Sequence, residues 1–417
     1  MKQLYRVLVL ALCASGISSA ANGQTPMPWD IVIHVLPVPL IGQHTNVWCW
    51  AASGQMVMKY FGQDVPQCGQ ATYQFGQAAN VDCCHSPTPA ACVHGGQVEI
   101  GHYGFTYNQL GNTASLTATQ VENQIKTRKR PWIMNPHGPG KFGHVTVAVG
   151  YVTLNKAVVL IAVNDPWPVN IGDFYFELYG AYQCGFWGGT CRTEGYDLYD
   201  IAPPSLAIAE VPPPLLIQLS AVLPPPVERQ FEQGASDPQE AATAAWTVLR
   251  TLVTRETATK LGFASPGDVE KVRLGQPVEQ YNISLERLRA WKPGGRASDL
   301  LERKEVLLVP IEASGAAQAS IRLRHERNVW KLATFGSPQL SKAWQSARAS
   351  GAQFLVEIEA LELVFGGRRV DGRLQLTPLF SDDQLQVRAG REEAAEKVLD
   401  RLVDAAKNHR GNVLAPR

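Results

Sequence analysis

The spacing of apolar and polar positions divides the chain into helical and strand-like stretches. After Cys49, the residues Trp50, Ala51, Ala52, Met56, Val57, Tyr60 and Phe61 recur at helical spacing and stop at Gly62. This predicts a helix with Cys49 on its first turn. From His144 the run Val-Thr-Val-Ala-Val to Gly150 and Tyr151 alternates as a half-buried strand does, and Ala157 to Val163 is a second strand ending in Asn164, Asp165, Pro166 and Trp167. If the two pair, the Asn-Asp end returns beside the histidine. Farther on, Asp237-Pro238-Gln239-Glu240 is a capped helix start, and the helix is expected to continue through Ala241 to Leu261. Strand-like stretches follow at Val306 to Ile311, Ala319 to Leu323 and Val329 to Phe335, then a helix near Leu340 to Ala349. Phe354 to Phe365 and Arg373 to Leu379 flank Gly366-Gly367 as an expected β-hairpin, and Glu392 to Ala406 reads as a closing amphipathic helix. Both halves are α+β.

Composition adds domain boundaries. Charged residues make up roughly 10 % of residues 21–204 but roughly a quarter of those from 229 onward, where cysteine is absent, a shift that suggests separate units. Between them lie Pro203-Pro204, Pro212 to Pro214 and Pro224 to Pro226, expected to form an extended, semi-rigid spacer. Its apolar residues Leu215, Leu216, Ile217 and Leu219 hint that it lies along a surface. The division is thus 1–20, 21–204, 205–228 as linker and 229–417 as a second domain long enough to bury its own core. The formal net charge is +1, and the basic block Lys126 to Arg130 reads as the end of a solvated helix, so nucleic acid is not an expected partner.

The first twenty residues have a basic start (Lys2, Arg6), a short apolar run and the small residues Ser18, Ser19 and Ala20, which reads as a secretory signal peptide. No later stretch reaches the roughly 20 apolar residues of a transmembrane helix. The expectation is a secreted or periplasmic protein. Of the 8 cysteines, Cys13 would leave with the signal. An odd number remains in an oxidising compartment, and Cys49 is the natural free thiol. Cys184 with Cys191 would close a short Gly-rich loop, and Cys68, Cys83, Cys84 and Cys92 would pair among themselves. A zinc cluster of Cys83, Cys84, His85, Cys92 and His94 is the competing reading.

The chemistry concentrates near Cys49. Backbone N–H groups at a helix start favour a thiolate, the species that attacks carbonyls. Gln43, six residues earlier, can offer a side-chain N–H beside the Cys49 N–H, the two donors a tetrahedral oxyanion needs. His144 can act as base, with Asp165 or Asn164 accepting its Nδ1 proton and leaving Nε2 to face the sulfur. A buried structural cysteine and a satisfied strand-end histidine are the plainer readings of each residue alone. No nucleophile–base constellation is visible after residue 229, and no cofactor is expected.

Gln43, then Cys49-Trp50 on a helix, Gly143-His144 on a strand and Asn164-Asp165-Pro166-Trp167 at the next strand end, in this order, resemble the papain-like cysteine peptidase superfamily. The nearest likeness is to its bacterial branches, the effector proteases of plant pathogens and the bacteriocin-leader peptidases. The resemblance covers roughly residues 40 to 200. It implies a papain-like domain, a polypeptide substrate, Cys49 as nucleophile, His144 as base, Gln43 in the oxyanion hole and Asp165 as third member, since the bacterial branches carry an Asp followed by Pro; papain's own Asn makes Asn164 the runner-up. Trp167 would shield the His–Asp pair, as an indole does in papain. The Cys-Gly-Ser-Cys surround of plant enzymes is replaced by Asn46-Val47-Trp48, so their substrate preferences do not carry over. No long propeptide separates the signal from Gln43, and latency would have to come from elsewhere. Alternative activities for the same residues are those of a transglutaminase-like enzyme or a cell-wall amidase, or a non-catalytic binding module. The C-terminal domain could dock substrate, attach to a cell surface, inhibit the peptidase or simply pack.

Overall fold

The computed structural model describes residues 29–111, 114–137, 143–184, 186–187, 190–191, 194–204, 215–221, 231 and 233–409. The signal-like segment and the bridge expected between Cys184 and Cys191 lie outside the described residues and side chains.

The first half wraps an antiparallel sheet around one buried helix. Strand β1 (Trp29–Val35) is followed by helix α1 (Cys49–Tyr60), then β2 (Thr106–Leu110), β3 (Trp132–His137), β4 (Thr146–Leu154), β5 (Ala157–Asp165), β6 (Asp173–Leu178) and β7 (Glu194–Ala202). β4 is buried along its whole length and is the centre of this sheet, pairing with β5 on one edge and with β3 and β1 along the other. Helix α1 is buried on nearly every face, as a run with only one charge, Lys59, allows. It stops where expected, with Phe61 as cap and Gly62 at φ 91°.

Within the expected spacer, Leu215–Ala221 forms strand β8 and pairs antiparallel with β1 over its full length. Leu215 and Ile217 pack against the core, while Leu216 is 61 % exposed, the alternation of an edge strand.

The later half comprises helix α2 (Pro238–Leu249), β9 (Val272–Leu274), β10 (Val278–Asn282), β11 (Glu302–Ala313), β12 (Ala316–Glu326), β13 (Val329–Gly336), helix α3 (Pro338–Ala349), β14 (Phe354–Ile358), β15 (Leu363–Val370), β16 (Arg373–Pro378), β17 (Glu393–Ala394) and helix α4 (Ala395–Asn408). β13 pairs with β6, Phe335 opposite Phe176, so the sheets of both halves are hydrogen-bonded into one. The main core is likewise shared: Met56, Val147, Ile161 and Phe176 from the first half join Leu249, Ile321 and Phe335 from the second.

Three local expectations are corrected. The helix expected to continue to Leu261 ends at Leu249 and gives way to single turns at Arg250–Leu252 and Thr259–Leu261. The Thr251 hydroxyl donates to the Val248 carbonyl, and the Thr257 hydroxyl accepts from the Thr254 N–H, side-chain bonds that compete with helix continuation. Gly366 and Gly367 are not the hairpin turn but lie inside β15. A Cβ on Gly367 would stand 2.3 Å from the Phe354 ring, so these glycines admit a neighbour, and the turn is Asp371-Gly372. The stretch Phe354 to Phe365, expected to be one strand, is broken by a turn at Glu359–Leu361 followed by Glu362 at φ 52°.

Candidate active site

Cys49 is the first residue of α1, with Trp48 as N-cap. Two indoles fix this helix start against the disulfide-bonded loop: Trp48 Nε1 donates to the Cys92 carbonyl (2.9 Å) and Trp50 Nε1 to the His94 carbonyl (3.4 Å). That loop is closed by Cys68–Cys84 and Cys83–Cys92. The zinc alternative therefore fails, because its thiols are consumed as disulfides. Cys49 is the free cysteine among the described residues. One turn into α1, the Ser53 hydroxyl donates to the Val145 carbonyl at 3.0 Å, tying the helix to the residue after His144.

His144 sits two residues before β4, and the antiparallel register that sets Val147 opposite Asn164 brings the end of β5 to its ring. His144 Nε2 lies 2.7 Å from Asp165 Oδ1. The Asn164 side chain turns away and donates to the Val38 carbonyl at 3.1 Å. The ring nitrogens are thus the reverse of the expected arrangement: Asp165 takes Nε2, and Nδ1 is the nitrogen left for the sulfur. The Trp167 backbone N–H donates to the same Asp165 oxygen at 2.8 Å.

Gln43 is held in a loop stitched on both sides. Its N–H donates to the Pro166 carbonyl (2.9 Å), its own carbonyl accepts from Asn170 (2.7 Å), and buried Gln67 spans the loop by accepting from His44 N–H and donating to the Gly42 carbonyl. The Gln43 amide nitrogen donates to the Thr45 carbonyl at 2.9 Å and to a carboxylate oxygen of Glu362. Its Oε1 is buried without a partner.

Glu362 is the residue that the sequence did not announce. Its Oε1 lies 3.1 Å from His144 Nδ1 while its other oxygen takes the Gln43 amide. Trp167 Nε1 donates to its backbone carbonyl at 2.9 Å. The indole expected as a shield for the His–Asp pair is thus seen to clamp this turn. Sulfur, imidazole and carboxylate of Cys49, His144 and Glu362 offer atoms within 4.8 Å of one another.

The site is sealed: Gln43 and Cys49 are 0 % and His144 is 1 % exposed. Burial works against a charged imidazole, but the carboxylates of Asp165 and then Glu362 outweigh it and hold His144 well above its usual range. Burial pushes the Cys49 thiol up; the His144 hydrogen bond opposes this and the Glu362 charge adds to it. Burial also raises Glu362, against the pull of His144. At neutral pH these shifts favour an imidazolium beside a neutral thiol.

Among the described residues no helix is long and apolar enough to cross a membrane. No curated protein matches the sequence. Residues 35–178 match the family model described as Peptidase_C39 like family, a papain-like cysteine peptidase family, over a segment that holds Gln43, Cys49, His144 and Asp165; the match indicates a cysteine peptidase.

Proposed function

We propose that the chain is an exported peptidase that hydrolyses peptide bonds through a Cys49 thioester, with His144 as the proton shuttle, Asp165 as its orienting partner and Gln43 as an oxyanion donor. The observation that carries the reading is the 2.7 Å contact between His144 Nε2 and Asp165 Oδ1, made beside a free thiol at a helix start. Export is supported by the signal-like first twenty residues and by the two disulfides.

For the reaction the imidazolium first gives its Nδ1 proton to solvent; His144 Nδ1 then takes the Cys49 proton, and the sulfur attacks the scissile carbonyl carbon. The C=O π pair moves to oxygen as the S–C bond forms, and the oxyanion is met by the Cys49 backbone N–H and the Gln43 amide. The imidazolium gives its proton to the leaving amine as the C–N bond breaks. Water then loses a proton to Nδ1 and attacks the thioester, releasing the acid and the thiolate. Asp165 keeps Nε2 protonated and the ring in plane throughout.

The test is mass-spectrometric detection of new termini in an unstructured polypeptide, with the chain as it stands and with Glu362→Ala. Cleavage by either that Cys49→Ala abolishes is the expected result. Cleavage that survives Cys49→Ala, or none from either parent, sinks the assignment.

A further inference from the structure

We propose that the later half of the chain is a built-in inhibitor of this site: the turn after β14 lays the Glu362 carboxylate between His144 and Gln43, where a substrate's reacting carbonyl would go, and the site opens when that side chain is withdrawn or removed. The inference rests on the peptidase reading.

The geometry gives three reasons. Both groups that a substrate needs are already engaged by one side chain. The nitrogen that should serve the sulfur faces Glu362 Oε1 at 3.1 Å, and the amide that should meet the oxyanion donates to the other carboxylate oxygen. Substrate access is closed as well, since Cys49 is fully buried and the side chains of His144 and Glu362 are each 1 % exposed. The cavity that borders Asp165 and Glu362 holds 90 Å³ and is walled by both halves, against roughly 300–1,000 Å³ for ordinary ligand pockets. Finally, charge opposes activation. The charge of Glu362 adds to the burial that pushes the Cys49 thiol up, so it opposes the thiolate that attack requires, and its removal lifts that opposition.

The turn is also built to hold this position. Glu362 is in the left-handed region, φ 52° and ψ 37°, a conformation a non-glycine residue keeps only when its surroundings fix it. Leu361 and Leu363 on either side are buried in the second core with Phe354 and Leu376, and Trp167 holds the Glu362 carbonyl. At its stem, buried Lys304 bonds Glu357 at 2.5 Å and Glu359 at 2.7 Å. The pairing of β13 with β6 then fixes the whole unit to the peptidase sheet.

The experiment uses the full, non-reduced chain and its Glu362→Ala and Glu362→Gln variants. Two rates are read: alkylation of Cys49 by iodoacetamide, with the adduct mapped by mass spectrometry, and cleavage of an unstructured polypeptide. Wild-type Cys49 should react far more slowly than a cysteine in a free peptide. Glu362→Ala should raise both rates by roughly 5- to 150-fold, the range of ordinary intramolecular couplings, and Glu362→Gln by less, because its amide still fills the site. A wild-type Cys49 that alkylates as fast as the free peptide overturns the proposal whether or not the variants fold. So does a folded Glu362→Ala with unchanged rates, or release of wild-type Cys49 by a chelator alone, which would assign the block to a metal. Fast alkylation of Glu362→Ala without cleavage leaves the occlusion standing and sinks the peptidase reading instead.

Discussion

Asp165 and Asn164 are neighbours on β5 that serve opposite sides of it: Asp165 Oδ1 lies 2.7 Å from His144 Nε2, while Asn164 Nδ2 donates to the Val38 carbonyl. The alternation of a strand forces the choice, since consecutive side chains cannot both reach one ring. Asp165→Ala should therefore lower kcat by roughly 10²–10⁴-fold. Asn164→Ala should leave kcat within a few-fold and cost stability, about 1 kcal/mol for its buried hydrogen bond. Steady-state kinetics and thermal unfolding of the two variants, in the Glu362→Ala background, separate the effects; the reverse ranking would move the third role to Asn164.

Asp173 gives the junction between the halves a pH dependence. It opens β6, is buried, and accepts from the backbone N–H groups of Gln339 and Leu340 in the first turn of α3, whose own N-cap Ser337 makes no side-chain cap bond. Burial pushes its pKa up from 3.8 to about 8. A carboxyl raised on folding binds protons more tightly in the native state, so its contribution is full below its unfolded pKa and is lost as pH rises through about 8. Between those values the loss can reach about 1.4 kcal/mol per pH unit. Wild-type melting temperature should fall relative to that of Asp173→Asn as pH is raised from about 6 to about 9. Parallel curves would mean that Asp173 is charged in the folded chain throughout.

The first-half residues of the proposed site could be picked out because their signals are local. A helix start with a glycine stop marks Cys49, a strand start marks His144, and a strand end with Pro166 marks Asp165. Gln43 stands a fixed short distance before the thiol. Their order along the chain suffices, because a helix and two antiparallel strands bring them together with little freedom. Glu362 carries no such mark. It is 218 residues from His144, and in Leu361-Glu362-Leu363 it looks like the polar position of an alternating strand. What places it at His144 is a left-handed turn that breaks that strand and a docking geometry set by distant pairing, neither of which has a sequence period. The ring-nitrogen assignment was missed for a similar reason: strand pairing predicts which residues meet, but not how an imidazole is rotated.

The disulfides are linked to Cys49, the proposed nucleophile, through Trp48. The Trp48 indole is anchored on the Cys92 carbonyl, and Cys92 is bridged to Cys83 across 9 residues, with Cys68–Cys84 closing 16. Each bridge should stabilise the chain by about 2–4 kcal/mol, toward the lower end for loops this short. Cys83→Ser with Cys92→Ser should therefore lower the melting temperature and also slow turnover, because the N-cap of α1 loses its support. Loss of stability with unchanged kcat in the surviving folded fraction would show that the indole is held by packing alone.

On the proposed reading Gln43 would play opposing parts in the closed and open chain, and the two can be separated. In the closed chain it is a hydrogen-bond partner of the Glu362 carboxylate, so Gln43→Ala should loosen the turn; in the open chain it would be the oxyanion donor, so the same substitution should slow chemistry. In the wild-type background the first effect should appear as faster alkylation of Cys49. In the Glu362→Ala background the turn has no carboxylate to release, and only the second effect remains. There kcat should fall by roughly 10²–10³-fold, the usual cost of one oxyanion donor, with KM little changed because the interaction forms fully only in the transition state. A rise in KM at constant kcat would instead make Gln43 a ground-state binding residue, and the oxyanion would then have to find its second donor elsewhere than on Gln43.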